Sequence, residues 1–487
     1  MGKARIKIEK GFEIGKIDNR IYGSFVEHLG HCVYDGIYQP GHPSADGEGF
    51  RKDVIELVKE LDVPIVRYPG GNFVSGYNWE DGTGPVSGRP VKLDLAWNAV
   101  EPNKVGTNEF ASWAKKVNAE VMMAINLGTR GADDARNFVE YCNRPAGTYY
   151  SDLRAKHGVA EPHGIKVWCL GNEMDGPWQI GHKTAHEYGR LACESARLMK
   201  WVDPSIELVA CGSSGYGMST FGEWEATVLD HAFDLVDYVS LHQYIGKKDG
   251  KETKTFMARS MEMDEYINKT IAICDYVAAK HKSGKKINIS FDEWNVWWQK
   301  GEDEEKAKRG HYTVEEAVAS GTMLLSLLRR ADRVKIACQA QLVNVIAPIY
   351  TQKEGDPWRQ TMFYPYMHAS KYGRGTALWT LVECEKYDSE WLSGVPAVDS
   401  VAVETEAGVT LFAVNRAEED TILEFEPGGY GHCQKPEHIS LWNPDKFAIN
   451  TFENPNRAVP KSQGDIVCED GIVKARLRPL SWNVIRI

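Results

Sequence analysis

The sequence predicts an α/β chain: a (β/α)8 TIM barrel followed by a smaller, jelly-roll-like all-β sandwich. Three observations carry this. Eight short β-branched or apolar runs alternate with longer amphipathic segments, which implies parallel strands with helical crossovers over about 330 residues. After Trp379 the helical periodicity stops, and strand-like runs follow one another across turns such as Pro427-Gly428-Gly429. The length of 487 residues would suggest three domains at roughly 150 residues each, yet barrels reach 250 or more as one unit. One large domain and one small one therefore fit.

The elements follow in chain order. Met1-Gly2-Lys3-Ala4-Arg5-Ile6-Lys7-Ile8 alternates charged and apolar residues and reads as a strand. It has no apolar core of an export signal, and Ile6 stands where a myristoylation signal needs Ser or Thr. Barrel strands are expected at 21–25, 65–68, 120–126, 165–170, 206–210, 238–242, 286–291 and 334–341. In 51–61, Val54, Ile55, Leu57, Val58 and Leu61 follow the 3–4 spacing of an amphipathic helix. Similar patterns fill 110–117, 132–141, 184–201, 224–232, 261–282 and 314–330. Strands at 400–404, 409–415, 422–426, 438–441 and 475–487 make the sandwich. The expected units are residues 16–375 for the barrel, and 1–15 with 376–487 for a sandwich that also takes the N-terminal strand.

Composition narrows the function. With 57 Lys+Arg against 68 Asp+Glu the net charge is −11, which argues against nucleic-acid binding. No run approaches the roughly 18 apolar residues of a membrane span. The ten cysteines form no C-x-x-C pair and read as small buried thiols in a reducing cytoplasm.

In such a barrel the chemistry sits where strands end. Strand 1 runs into Glu27-His28, strand 2 into Arg67-Tyr68-Pro69-Gly70-Gly71-Asn72, and strand 4 into Gly171-Asn172-Glu173. Strand 6 ends His242-Gln243-Tyr244, strand 7 Asp292-Glu293-Trp294-Asn295, and strand 8 Gln339-Ala340-Gln341. Charged groups at the ends of apolar strands are costly unless paired or used. Glu173 alone could be a helix N-terminal carboxylate, and Glu293 alone a structural partner of Arg67. Together, facing carboxylates on strands 4 and 7 are what glycoside hydrolysis needs. Asp292 competes with Glu293; strand alternation points the two opposite ways, and the parity of Phe291 and Asn295 favours Glu293. Tyr77, Trp79, Trp97, Trp178, Trp294, Trp297 and Trp298 fall near the rim, where flat rings with a polar edge suit a sugar platform, although core packing competes for each. His28, His31 and His242 lack the spacing of a metal site, and Gly215-Tyr216-Gly217 lacks the third glycine of a dinucleotide loop. The charge runs 247–251 and 302–306 read as solvated loops. No metal and no organic cofactor is expected.

These stretches resemble glycoside hydrolase family 51: Tyr22-Gly23-Ser24-Phe25-Val26-Glu27-His28-Leu29-Gly30, the run Arg67–Trp79, Gly171-Asn172-Glu173-Met174-Asp175-Gly176-Pro177-Trp178, Asp292-Glu293-Trp294-Asn295-Val296-Trp297, and Gln341-Leu342-Val343-Asn344. The resemblance is to bacterial intracellular α-L-arabinofuranosidases and covers nearly the whole chain. It implies Glu173 as acid/base and Glu293 as nucleophile. It places Glu27, Arg67, Asn72, Asn172, Tyr244 and Gln341 around the arabinose ring, and Trp97 and Trp178 by the leaving sugar. His242 and Trp297 join the substrate-binding set from their place on the rim. Family members commonly assemble as hexamers, so a homo-oligomer is implied. The segment Gln299-Lys300-Gly301-Glu302 after Trp298 is shorter than in many relatives, which bears on the leaving-group side.

The expected function is retaining, exo-acting removal of terminal arabinofuranosyl residues from arabinan- or arabinoxylan-derived oligosaccharides. Glu173 must then be protonated and Glu293 ionised, with Arg67 and Tyr244 beside the nucleophile and Asn172 on the 2-hydroxyl. An endoglucanase or β-xylosidase on the same barrel, and a non-catalytic carbohydrate-binding protein, are the alternatives. The sequence leaves α-1,2, α-1,3 and α-1,5 linkages open.

Overall fold

The structure, a computed structural model, describes residues 1–247, 252–297, 311–431 and 435–487. Trp298, the segment 299–302, the charge run 302–306, most of the run 247–251 and Cys433 lie outside the described residues. Eight parallel strands close a barrel: β1 (Gly23–Phe25), β2 (Ile65–Tyr68), β3 (Glu120–Ala124), β4 (Val167–Leu170), β5 (Glu207–Cys211), β6 (Tyr238–Ile245), β7 (Asn288–Val296) and β8 (Val334–Ala340). β8 pairs with β1 and completes the ring. The inward residues Phe25, Ile65, Met122, Val167, Cys169, Val209, Ile336 and Cys338 fill its lower interior. The barrel is therefore a packed core, and only its C-terminal rim is free for chemistry.

Every helix expected from periodicity is present within a few residues of its predicted ends. Among the described residues three more were not expected: Tyr149–Lys156, Thr253–Met257 and Phe363–Tyr372. The first buries only Ser151 and Arg154, so it has no apolar stripe to read. The last is buried nearly all round, which equally erases amphipathic periodicity.

The C-terminal segment forms two packed sheets. The seven-stranded sheet runs, in spatial order, Glu13–Lys16, Thr376–Leu378, Val398–Thr405, Gly408–Asn415, Ser481–Arg486, Glu437–Leu441, Lys461–Ser462. The five-stranded sheet runs Leu381–Cys384, Gly2–Glu9, Thr421–Gly428, Ile472–Leu477, Val467–Glu469. The N-terminal segment thus supplies two strands, one to each sheet. The run expected as one strand over 475–487 is two, Ile472–Leu477 and Ser481–Arg486, which lie in different sheets. Pro479, between them, has no N–H to continue a ladder.

The helix Val314–Leu328 is buried at all 15 positions. One side packs on the barrel and the other on the seven-stranded sheet, where Gly321 admits the Trp482 ring; a Cβ there would stand 2.6 Å from the indole.

Candidate active site

β2 delivers Arg67 to the centre of the rim, 1% exposed. Its Nη1 donates to Glu293 Oε1 at 2.7 Å and its Nη2 to Asn172 Oδ1 at 2.8 Å, while its guanidinium lies 4.9 Å from the centre of the Phe25 ring. Tyr244, from β6, donates to Glu293 Oε2 at 2.8 Å. Glu293 therefore has both oxygens occupied by donors, one of them cationic. Burial works against the charge on Arg67, but Asp292 and Glu293 outweigh it and hold the guanidinium protonated. Burial and the Glu293 charge push the Tyr244 hydroxyl well above its ordinary range, so it stays a donor.

Glu173 follows β4 in a left-handed conformation, φ 45°, a strained backbone of the kind found at functional sites. It lies in a turn and not at a helix N-terminus, since the next helix starts at Ala185; the helix-dipole explanation falls. Its Oε2 accepts from Trp178 Nε1 at 2.7 Å, and its Oε1 sits 2.9 Å from His242 Nδ1. Single oxygens of Glu173 and Glu293, with a ring nitrogen of His242, all lie within 4.8 Å of one another.

β7 departs from the sequence expectation. Ser290 to Glu293 is three residues, opposite two from Ser240 to His242 on β6; Phe291 to Trp294 is three, opposite two from Ala337 to Gln339 on β8. Both neighbours locate one extra residue in β7, a bulge. The bulge breaks alternation, so Asp292 and Glu293 do not point opposite ways. Both reach Arg67 and His242: Asp292 Oδ1 lies 2.9 Å from His242 Nε2, and Asp292 Oδ2 lies 4.0 Å from Arg67 Nε. Parity along β7 therefore does not separate Glu293 from Asp292. The two carboxyls differ by depth: Asp292 is wholly buried, where its Oδ2 also accepts from Ser290 Oγ at 3.2 Å.

Burial alone would lower the basicity of His242, but Glu293, Asp292 and Glu173 outweigh it and push it up to about 10. Glu173, His242 and Asp292 are thus joined through the two ring nitrogens of His242, with Glu293 Oε2 3.7 Å from Nδ1. His28 is instead fixed by Glu101 at 2.7 Å and Tyr68 at 2.9 Å, and His31 lies beside Asp35 at the surface.

The opposite wall is built on Glu27. Its Oε1 accepts from Phe73 N at 3.0 Å and Trp97 Nε1 at 2.9 Å, and its Oε2 from Gln341 Nε2 at 3.4 Å. A Cβ on Gly71 would stand 2.7 Å from both Glu27 oxygens, so the Gly70-Gly71 turn is what lets the carboxyl approach the backbone. Burial and the Glu293 charge push Glu27 up to about 8. Asn72 accepts from Asn172 Nδ2 at 3.2 Å. Trp297 meets Tyr244 edge to face at 5.3 Å, and Trp178 and Trp297 are exposed at the mouth.

All twelve residues expected at the site thus converge. Three rim aromatics do not serve as platforms. Trp79 is buried, stacked on Phe138 and bonded to Asp134; Trp294 faces the outer core; Tyr77 packs tilted against Phe73, ring centres 4.7 Å apart. The sequence reading also missed Asp292 as a partner of His242, and Gln179, which accepts from Asn172 and donates to Ser75.

A closed parallel barrel with paired carboxylates on its fourth and seventh strands is the arrangement of a glycoside hydrolase. Residues 57–266 match the α-L-arabinofuranosidase 1 domain, and residues 292–481 the α-L-arabinofuranosidase C-terminal domain. An intracellular exo-α-(1→5)-L-arabinofuranosidase 1 of Bacillus subtilis is 57% identical over 498 residues, covering 100% of this chain and 99% of its own. A relative of the same activity name from Acetivibrio thermocellus is 56% identical, covering 100% of both chains. Among solved structures, a family 51 α-L-arabinofuranosidase from Bifidobacterium longum superposes with TM-score 0.94 at 40% identity, covering 100% of this chain and 99% of that one. The chain belongs to the family 51 α-L-arabinofuranosidases.

Proposed function

We propose that this protein is a retaining, exo-acting α-L-arabinofuranosidase of the cytoplasm, with Glu293 as nucleophile and Glu173 as acid/base. The observation that carries the roles is the carboxylate spacing of at most 4.8 Å between nearest oxygens, near the roughly 5–5.5 Å of retaining enzymes and short of the ~6.5–9.5 Å of inverting ones. Glu293 Oε1 and Oε2 are held in place by the Arg67 guanidinium and the Tyr244 hydroxyl. Glu293 attacks the anomeric carbon while Glu173 gives its proton to the departing oxygen. Water then loses a proton to Glu173 and displaces Glu293 from the glycosyl-enzyme.

Asn172, anchored by Arg67, would bond the 2-hydroxyl, a contact that strengthens in the oxocarbenium-like transition state. Glu27, Asn72, Gln341 and Trp97 would close the pocket around one terminal furanose, and Trp178, Trp297 and His242 would line the leaving side. Residues 16–375 would carry the reaction, with 1–15 and 376–487 as the supporting sandwich. Assembly into a homo-oligomer, a hexamer by family likeness, is part of the same reading and is measured by light scattering.

The test is hydrolysis of an aryl α-L-arabinofuranoside by wild type and Glu293→Ala, beside an aryl β-xyloside and soluble cellulose. Activity on the arabinofuranoside alone, lost in Glu293→Ala, is expected; activity chiefly on the xyloside or cellulose would refute it. Arabino-oligosaccharides linked α-(1→5), the linkage in the names of relatives at 51–57% identity, are the first natural substrates to assay. An α-(1→6) linkage, named for a relative at 46%, is the comparison.

A further inference from the structure

Asp292 lies beneath the rim, too deep to touch a sugar, yet it spends its carboxylate on two groups that do face the pocket. Being a buried acceptor, it obliges His242 to present Nε2–H at 2.9 Å. That fixes the ring plane and leaves Nδ1 facing Glu173 Oε1 at 2.9 Å, with Glu293 Oε2 further off at 3.7 Å. Asp292, His242 and Glu173 thus form a line of hydrogen bonds from the barrel interior to the group assigned above as acid/base.

We infer that Asp292 is a positioning residue that acts on glycosidic-bond cleavage through His242 and Glu173. The inference rests on the acid/base role proposed for Glu173.

The physical reason lies in what Glu173 becomes. Once it has protonated the departing oxygen it is a carboxylate. Two donors then meet it: Trp178 Nε1–H and His242 Nδ1–H. The second is cationic only while His242 stays doubly protonated, and a charge-assisted bond of this kind is about twice as strong as a neutral one. The groups facing His242 are Glu173 from the β4 end and Asp292 and Glu293 from β7, with Arg67 of β2 beyond the latter two. Their charges push His242 up to about 10 against its burial. Asp292 is the one of these carboxylates that no substrate step would alter. With Asn in its place the imidazole loses that fixed anion. A neutral ring holding Nε2–H toward Asn would turn the Nδ1 lone pair to Glu173, and would then compete with the leaving oxygen for the Glu173 proton.

Asp292 has a second neighbour, Arg67, 4.0 Å away, and through it the nucleophile. The two routes differ in what they predict. Action through Glu173 matters more as the leaving group needs its proton more; action through Arg67 and Glu293 weakens attack on every substrate alike. The experiment compares kcat/KM, which reports bond cleavage, over aryl α-L-arabinofuranosides from 2,4-dinitrophenyl to methoxyphenyl. Wild type, Asp292→Asn, His242→Gln, the double variant and Glu173→Ala are used.

The expected result is a loss in Asp292→Asn at least about tenfold greater on the methoxyphenyl than on the dinitrophenyl substrate, within the range of general-acid effects. His242→Gln should show the same trend, and the double variant should lose no more than the worse single one, as residues acting through one another do. A uniform loss across leaving groups, or additive losses in the double variant, overturns the inference. Should Asp292→Asn not fold by its thermal unfolding transition, His242→Gln alone decides by the same criterion. If Glu173→Ala itself shows no leaving-group dependence, the acid/base assignment fails; if it does and Asp292→Asn does not, the present inference fails alone.

Discussion

Arg67 binds three site groups at once: Glu293, Asn172 and, more distantly, Asp292. Removing one partner of a buried ion pair leaves an uncompensated charge and costs about 3–5 kcal/mol. Arg67→Met is therefore expected to lower the unfolding free energy by that order and to abolish turnover; retained activity on aryl arabinofuranosides would contradict the placement of Glu293. Glu173→Ala should lose far more on poor leaving groups than on activated ones, by roughly 10²-fold or more, and azide should restore turnover of the activated ones. Equal loss on both, without rescue, would remove Glu173 from the acid/base role. Two residues also set a pH dependence. Glu27 rises from 4.5 to about 8 and His242 from 6.5 to about 10 on folding. In both, the folded state holds the proton more tightly, so stability declines as pH rises, from about 4.5 to 8 for Glu27 and from about 6.5 to 10 for His242. Thermal unfolding from pH 5 to 10 should show a falling Tm. Glu27→Gln should flatten the part below pH 8, and a Tm that rises with pH would contradict these charge states.

At the scale of elements, the hairpin Lys92–Asp94 with Ala99–Glu101 shows how a loop can serve the site without a core of its own. Val91, Leu93, Leu95 and Val100 are exposed, so apolar packing does not hold it. Glu101 does: it meets His28 at 2.7 Å and accepts from Tyr34 and from Asn103 N. Asp94 caps Ala96 and Trp97, and Trp97 reaches Glu27. Glu101→Gln should cost about 1 kcal/mol of substrate binding, roughly fivefold in KM with kcat little changed, read in steady-state assays on arabino-oligosaccharides. The β7 bulge is the other decisive element. Alternation assigns one of two adjacent carboxyls to the rim; the inserted residue sends both there, and no periodicity in 286–291 signals it. The strands themselves were legible, because β-branched runs bounded by turn residues mark them, and so was the rim, because polar residues follow each strand. The helix Phe363–Tyr372 was not, because burial on every side leaves no stripe.

At the scale of the whole molecule, the two chain ends meet in one sandwich. Gly2–Glu9 lies between Leu381–Cys384 and Thr421–Gly428, and buries Ala4, Ile6 and Ile8 against Leu423, Phe425 and Leu477. Deleting residues 1–10 takes out an internal strand and should cost on the order of 5 kcal/mol, from the apolar side chains alone. A thermal scan should show Tm lowered by several degrees, and an unchanged Tm would mean that the strand is dispensable. The seven-stranded sheet is in turn seated on the barrel through Val314–Leu328. Gly321→Ala, with its Cβ 2.6 Å from Trp482, should cost about 1–3 kcal/mol by overpacking. The readout is denaturant unfolding, with the aryl arabinofuranoside assay as control for the site.

The sequence alone determined the barrel-and-sandwich architecture and the polar rim, since hydrophobic period and strand-end chemistry are local properties of the chain. The family motifs added the expected identity of the pair Glu173 and Glu293. Only the tertiary structure decided which rim groups touch, that Asp292 stands behind His242, that Trp79 and Trp294 belong to the core, and that residues 475–487 divide between two sheets. Each of these depends on a one-residue register shift or on pairing between segments far apart in the chain, and neither leaves a mark in local periodicity.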